Sequence, residues 1–171
     1  MGTRVRKEKN MAGFSIEKSK QKITDIKREV GVKKEKLEDL ETSKQEALSV
    51  ITELSGANIS EEAKTKSAEV LKAEFEKISA QGQELSDQIG EDTKEYETEI
   101  QEIQAVSDSN AEELKKVEDK KSLLSKINMG ELMDSTIQEL QNEEMQLNAL
   151  NQAAIDARKE SEDLSKRASL L

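Results

Sequence analysis

Leu54-Ser55-Gly56-Ala57-Asn58 is the first place in this sequence where a long helical pattern has to stop and turn. Gly56 stands where a helix C-terminus favours a residue that tolerates positive φ. Asn58 follows as a candidate N-cap, with Glu61 at capping-box spacing, and Ser60 is an equally good cap. A stop signal and a start signal this close together predict a helix-turn-helix hairpin, with Leu54, Gly56 and Asn58 as its turn residues.

Upstream of the turn, apolar residues keep a heptad rhythm from Ser15 to Leu54. One set of positions holds Ile16, Ile23, Val30, Leu37, Lys44 and Ile51. The other holds Ser19, Ile26, Lys33, Leu40, Ala47 and Leu54. Steps of three and four place both sets on one stripe of a helix, which needs a partner to bury it. Lys33 and Lys44 interrupt the stripe. Either their stems cover the seam and carry the charge to its edge, or they pair with carboxylates on the partner and set register. Phe14 is an anchoring contact at the helix entry. Gly31 is a weak point.

Downstream, a second helix is expected from about Ser60 to Val106, with Leu71, Phe75, Ile78, Leu85, Ile89, Tyr96, Ile100 and Ile103 as its stripe. Gly82 and Gly90 lie within it and read as close approach of a neighbour or as mere tolerance. Charge supports the hairpin independently. Residues 1–36 carry a net +7 and the remainder a net -17. With the turn near Gly56, position 23 falls near position 90. Lys18, Lys20, Lys22, Lys27 and Arg28 then face Asp87, Glu91, Asp92, Glu95 and Glu99.

Ser107-Asp108-Ser109-Asn110 reads as a polar break rich in capping residues. A third helix follows with Leu114, Val117, Leu124 and Ile127 on one face. Asn128-Met129-Gly130 then interrupts. A last helix, capped near Asp134 or Ser135, carries Ile137, Leu140, Leu147, Leu150, Ala154, Ala157, Leu164, Ala168 and Leu171. Lys166 and Arg167 suit its negative end. The division is thus a basic, flexible N-terminus over 1–14, a hairpin over 15–106 and a C-terminal helical segment over 107–171, broken near 128–130.

Composition limits what such a chain does. Only 33% of the 171 residues are hydrophobic and 37% are charged. This suits narrow seams between helices rather than a compact core. The net charge of -10 and the scarcity of aromatic residues argue against nucleic acid. No apolar run approaches the roughly 20 residues of a membrane span. The basic start lacks the apolar run of a signal peptide. We expect a cytoplasmic protein, or one exported without a cleavable signal.

With no His and no Cys, the commonest general base, metal ligand and thiol nucleophile are missing. Glu61-Glu62 and Glu143-Glu144 read as solvated helix surface. No calcium loop or phosphate-binding glycine loop is present. The chain is therefore expected to be no enzyme and to take no cofactor, metal or small-molecule substrate. Met129, Met133 and Met145 read as gap-fillers in a seam.

Leu54-Ser55-Gly56 between two long helices, followed by Ala63, Ala68, Val70, Leu71 and Phe75, resembles the WxG/LxG helical-hairpin superfamily of type VII secretion substrates and partners. The resemblance covers about two thirds of the chain. It implies a bacterial targeting module that binds other helical proteins. Two features depart from the family. Tyr96 is followed four residues later by Ile100, where short members carry an acidic residue in their export signal. No Trp occupies the turn. A chain lacking that signal would be the partner that does not supply it, or part of a larger complex.

The expected fold is all-α, an elongated antiparallel helical hairpin with two further C-terminal helices. The expected function is a targeting or adaptor module in a hetero-oligomer with helical partners. The alternative is a self-assembling coiled-coil scaffold of a phage or cytoskeletal assembly. Leu114, Val117, Leu124, Ile127, Ile137, Leu140, Leu147, Leu150 and Leu164 are the candidates for partner contact, with packing onto the hairpin as the competing role.

Overall fold

The computed structural model describes residues 14–171. The expectation of a flexible basic N-terminus falls almost wholly outside them. The fold is all-α, with no strand among the described residues. Helix α1 runs Ile16–Gly56 and α2 runs Glu61–Ser125. A 3₁₀ turn, Gly130–Met133, leads into α3, Asp134–Ser169.

Each terminus has an identifiable cause. The Lys18 amide donates to Ser15 Oγ at 3.4 Å at the start of α1. At the first turn, the Ala63 amide donates to Ser60 Oγ at 3.2 Å. Ser60, rather than Asn58, therefore caps α2. Gly56 closes α1 without adopting a positive φ. The left-handed residue is instead Asn128, with φ 59°. The Met129 amide bonds Leu124 O at 2.9 Å and the Asn128 amide bonds Ser125 O at 3.1 Å. This pair of bonds is a Schellman motif with Asn at its left-handed position. Gly130 then lies buried against the end of α2. An added Cβ there would sit 2.2 Å from Ser125 Oγ and 3.2 Å from Lys121 O.

The expected break at Ser107–Asn110 does not exist, because α2 continues unbroken to Ser125. One long helix, not two, therefore follows the hairpin, with the 3₁₀ turn before it. Two of the polar residues read as caps, Ser107 and Asn110, are turned inward. Ser107 Oγ donates to Glu144 Oε1 at 2.6 Å. Asn110 Nδ2 donates to Leu140 O and to Glu144 Oε2, both at 3.0 Å. Ser and Asn bond locally when nothing else is offered, and here α3 offers acceptors.

The chain forms two compact units. The first holds residues up to Asp25 together with Glu95–Arg158. Its buried side chains include Ile23, Tyr96, Ile103, Val117, Leu140, Leu147 and Leu150. Ser19 Oγ donates to Glu99 Oε2 at 2.8 Å, and Lys22 Nζ lies 3.3 Å from Glu99 Oε1. Phe14 is half-buried.

The second unit holds Ile26–Lys94 and Lys159–Leu171. Here α1 and α2 are antiparallel, and α3 runs parallel to α1. Ile26, Val30, Leu37, Ala47, Ile78, Leu85, Ile89, Leu164 and Ala168 are buried. Lys33 Nζ pairs with Asp92 Oδ2, so Lys33 crosses the seam to a carboxylate rather than only covering it. The observed pairs Ser19–Glu99, Lys22–Glu99 and Lys33–Asp92 put the partner of position 23 at 95 to 102 rather than the expected 90. Gly82 sits under the end of α3, where an added Cβ would lie 2.7 Å from Ala168 O and 2.9 Å from Leu171 Cβ. Gly31 and Gly90 have open space and are simply tolerated.

Candidate docking site at the hairpin tip

The proposed contact residues do not form an outward face. Val117, Leu140, Leu147, Leu150 and Leu164 are buried, with Leu140 and Leu147 at 0% exposure. Leu114, Leu124 and Ile137 are half-buried, and only Ile127 is exposed. The correction has a simple cause. In both units α3 packs back on α2, which buries Leu140, Leu147, Leu150 and Leu164 of α3, while Val117 is buried on α2.

Exposed apolar side chains occur in both units, and those of the second unit include a set near the hairpin turn. The C-terminal turn of α3 ends level with Lys44, whose Nζ donates to Leu171 O at 3.2 Å, and with Gly82. From there to the turn, α1 and α2 continue without a third helix. Over this stretch the side chains of the two-helix seam are only partly covered, and one side of it stays open. Ile51 and Leu48 are 42% and 40% exposed, and Leu54, Leu71 and Phe75 are half-buried.

Ile51, Leu54, Leu71 and Phe75 line a groove of about 530 Å³ together with Ser55, Lys64, Ala68, Lys72 and Glu76. Its floor is apolar. Its charged rim comes entirely from α2. Lys64 lies 4.0 Å from Glu61. Lys72 and Glu76 make no ion pair among the described residues. A second groove of about 360 Å³, between Lys36, Leu40 and Ser43 on α1 and Gln81, Leu85 and Gln88 on α2, is of mixed character, with polar side chains beside Leu40 and Leu85.

No family model, curated protein or solved structure matches the chain.

By contrast with the tip, the seat of α3 is built for close approach. Thr93 Oγ1 and Ser161 Oγ are 2.6 Å apart, and Ser86 Oγ and Ser165 Oγ 3.0 Å. At the edges Arg167 pairs with Glu41, whose hydrogen bond raises the guanidinium pKa, and Lys34 lies 3.5 Å from Glu160. Small residues on α2 and α3 let the backbones meet there. At the tip Leu71 and Phe75 replace them. Sequence reading placed Ile51, Leu54, Leu71 and Phe75 in a closed seam. The signal it passed over was length, since α3 has 36 residues against 65 in α2.

Proposed function

We propose that this chain is a non-enzymatic adaptor that docks a helical segment of another protein into the groove at its hairpin tip. The open heptad seam over Ile51, Leu54, Leu71 and Phe75 carries this reading. An amphipathic helix is the ligand whose own stripe has the matching period. The absence of His and Cys from the sequence also favours binding over catalysis. Among the described residues no helix is long and apolar enough to cross a membrane. The L-x-G turn at Leu54-Ser55-Gly56 suggests type VII secretion of a toxin or effector as the setting.

The test is a Phe75→Glu chain compared with the unaltered one by circular dichroism, light scattering and affinity capture. A functional adaptor keeps its helicity, remains monomeric and loses one specific helical protein. Capture that does not depend on Phe75 overturns the proposal. A homo-oligomer that Phe75→Glu dissolves transfers the face to a self-assembling scaffold.

A further inference from the structure

Resting on that reading, we infer that the groove selects a helix of defined polarity and charge. Its ligand is an acidic-flanked amphipathic segment of about three turns, lying end to end with α3 and pointing the same way.

Three observations converge on this occupant. First, the groove continues an interface the chain already makes. In the second unit α3 lies along α1 and α2 as far as Gly82 and Lys44, and the open seam begins beyond them. A helix placed there extends the track of α3 and restores three-helix packing.

Second, the track has a length. From Glu76 to Lys64 along α2 is about 18 Å at 1.5 Å per residue, which a helix of roughly 12 residues spans. Apolar side chains at alternating steps of three and four meet Phe75 and Leu71 on α2 and Leu54 and Ile51 on α1.

Third, the rim charges are ordered. Glu76 stands at the end nearest α3, Lys72 follows, and Lys64 is farthest out. A helix parallel to α3 sets its positive N-terminus beside Glu76 and its negative C-terminus beside Lys64. Carboxylates on its α2-facing flank meet Lys72, which has no ion pair among the described residues. The reverse orientation opposes both ends. A basic flank would leave Lys72 facing like charge.

The probe is a fluorescein-labelled synthetic helix of about 14 residues, with Leu at 3–4 spacing and Glu on one flank. Fluorescence anisotropy follows its binding to the full chain. The expected result is saturable binding lost in Phe75→Glu, and about three- to tenfold weaker binding when the peptide flank is Lys. A Lys64→Glu/Lys72→Glu chain reverses that preference. Because the chain has no Cys, single positions report direction. With the peptide Cys activated as a mixed disulfide with thionitrobenzoate, whose thiolate leaves on exchange, a Cys at the peptide N-terminus forms a disulfide with the Glu76→Cys chain, and one at the C-terminus with the Lys64→Cys chain.

Binding that needs Phe75 but ignores flank charge, or crosslinks with the opposite ends, overturns this inference and leaves the adaptor reading standing. No Phe75-dependent binding of either peptide, together with no Phe75-dependent capture, removes both. A dimer in light scattering that is lost in Phe75→Glu assigns the groove to a second copy and overturns it as well.

Discussion

Lys33 on α1 reaches across the second unit to Asp92 on α2, and the Asp92 side chain is only 5% exposed. A buried carboxylate costs desolvation energy that its partner must offset. The Lys33 side chain is 19% exposed, so the pair is shielded but not sealed. Lys33→Met leaves the charge of Asp92 without that partner and should destabilise the chain by roughly 1–3 kcal/mol in urea unfolding. Lys33→Met with Asp92→Leu should recover most of the loss. A double variant as unstable as the single one would show that the pair itself is not the cause.

Leu147 and Leu150 belong to the core of the first unit. Leu147→Ala should cost about 2–5 kcal/mol. Leu147→Glu with Leu150→Glu should abolish cooperative melting in the isolated chain. Ile127→Glu, at a 62% exposed position, should leave the melt within about 0.5 kcal/mol of the original. Equal tolerance at both places would put α3 elsewhere than on α2.

Three helical glycines should respond differently to Ala. Gly31 and Gly90 have open space around the missing Cβ, so Ala should stabilise the helix by about 0.5–1 kcal/mol at each. At Gly82 the same change meets Ala168 O and Leu171 Cβ. Its helix gain should be offset by displacement of the last turn of α3. Hydrogen exchange reads this directly, with faster exchange over 166–171 in Gly82→Ala alone.

The two helix ends make opposite demands. Ser60→Ala removes the hydroxyl that accepts from the Ala63 amide and should cost about 1 kcal/mol, whereas Asn58→Ala should cost far less. At the other end, Asn128 holds φ 59°, so Asn128→Ala should destabilise by about 1 kcal/mol and Asn128→Gly should not. Thermal melts of the four variants check both statements. Asn58 proving the costlier position would return the cap to it.

Much of this architecture was legible as periodicity. The stripe from Ile23 to Ala47, the stop before Ser60 and the interruption at Asn128–Gly130 all follow from spacing and local conformational preference. The polar run at 107–110 misled for a definite reason. Ser and Asn carry the same capping chemistry whether they end a helix or reach a neighbour, and only the position of Glu144 and Leu140 O distinguishes the two. Lys33 is a similar case, since a lysine in a seam reads alike until the carboxylate opposite it is known.

The sequence alone settled that this chain is helical, that it turns near Gly56 and which side chains share a stripe, because these follow from contacts a few residues apart. It did not settle which stripes meet. Val117, Leu140 and Leu147 read equally as partner contacts or as packing onto the hairpin and are buried, while Ile51, Leu71 and Phe75 read as a closed seam yet line a groove. Helical period specifies that a face must be covered but not by what. Coverage depends on how far α3 reaches when it returns along its neighbours, and that reach is a property of the assembled bundle.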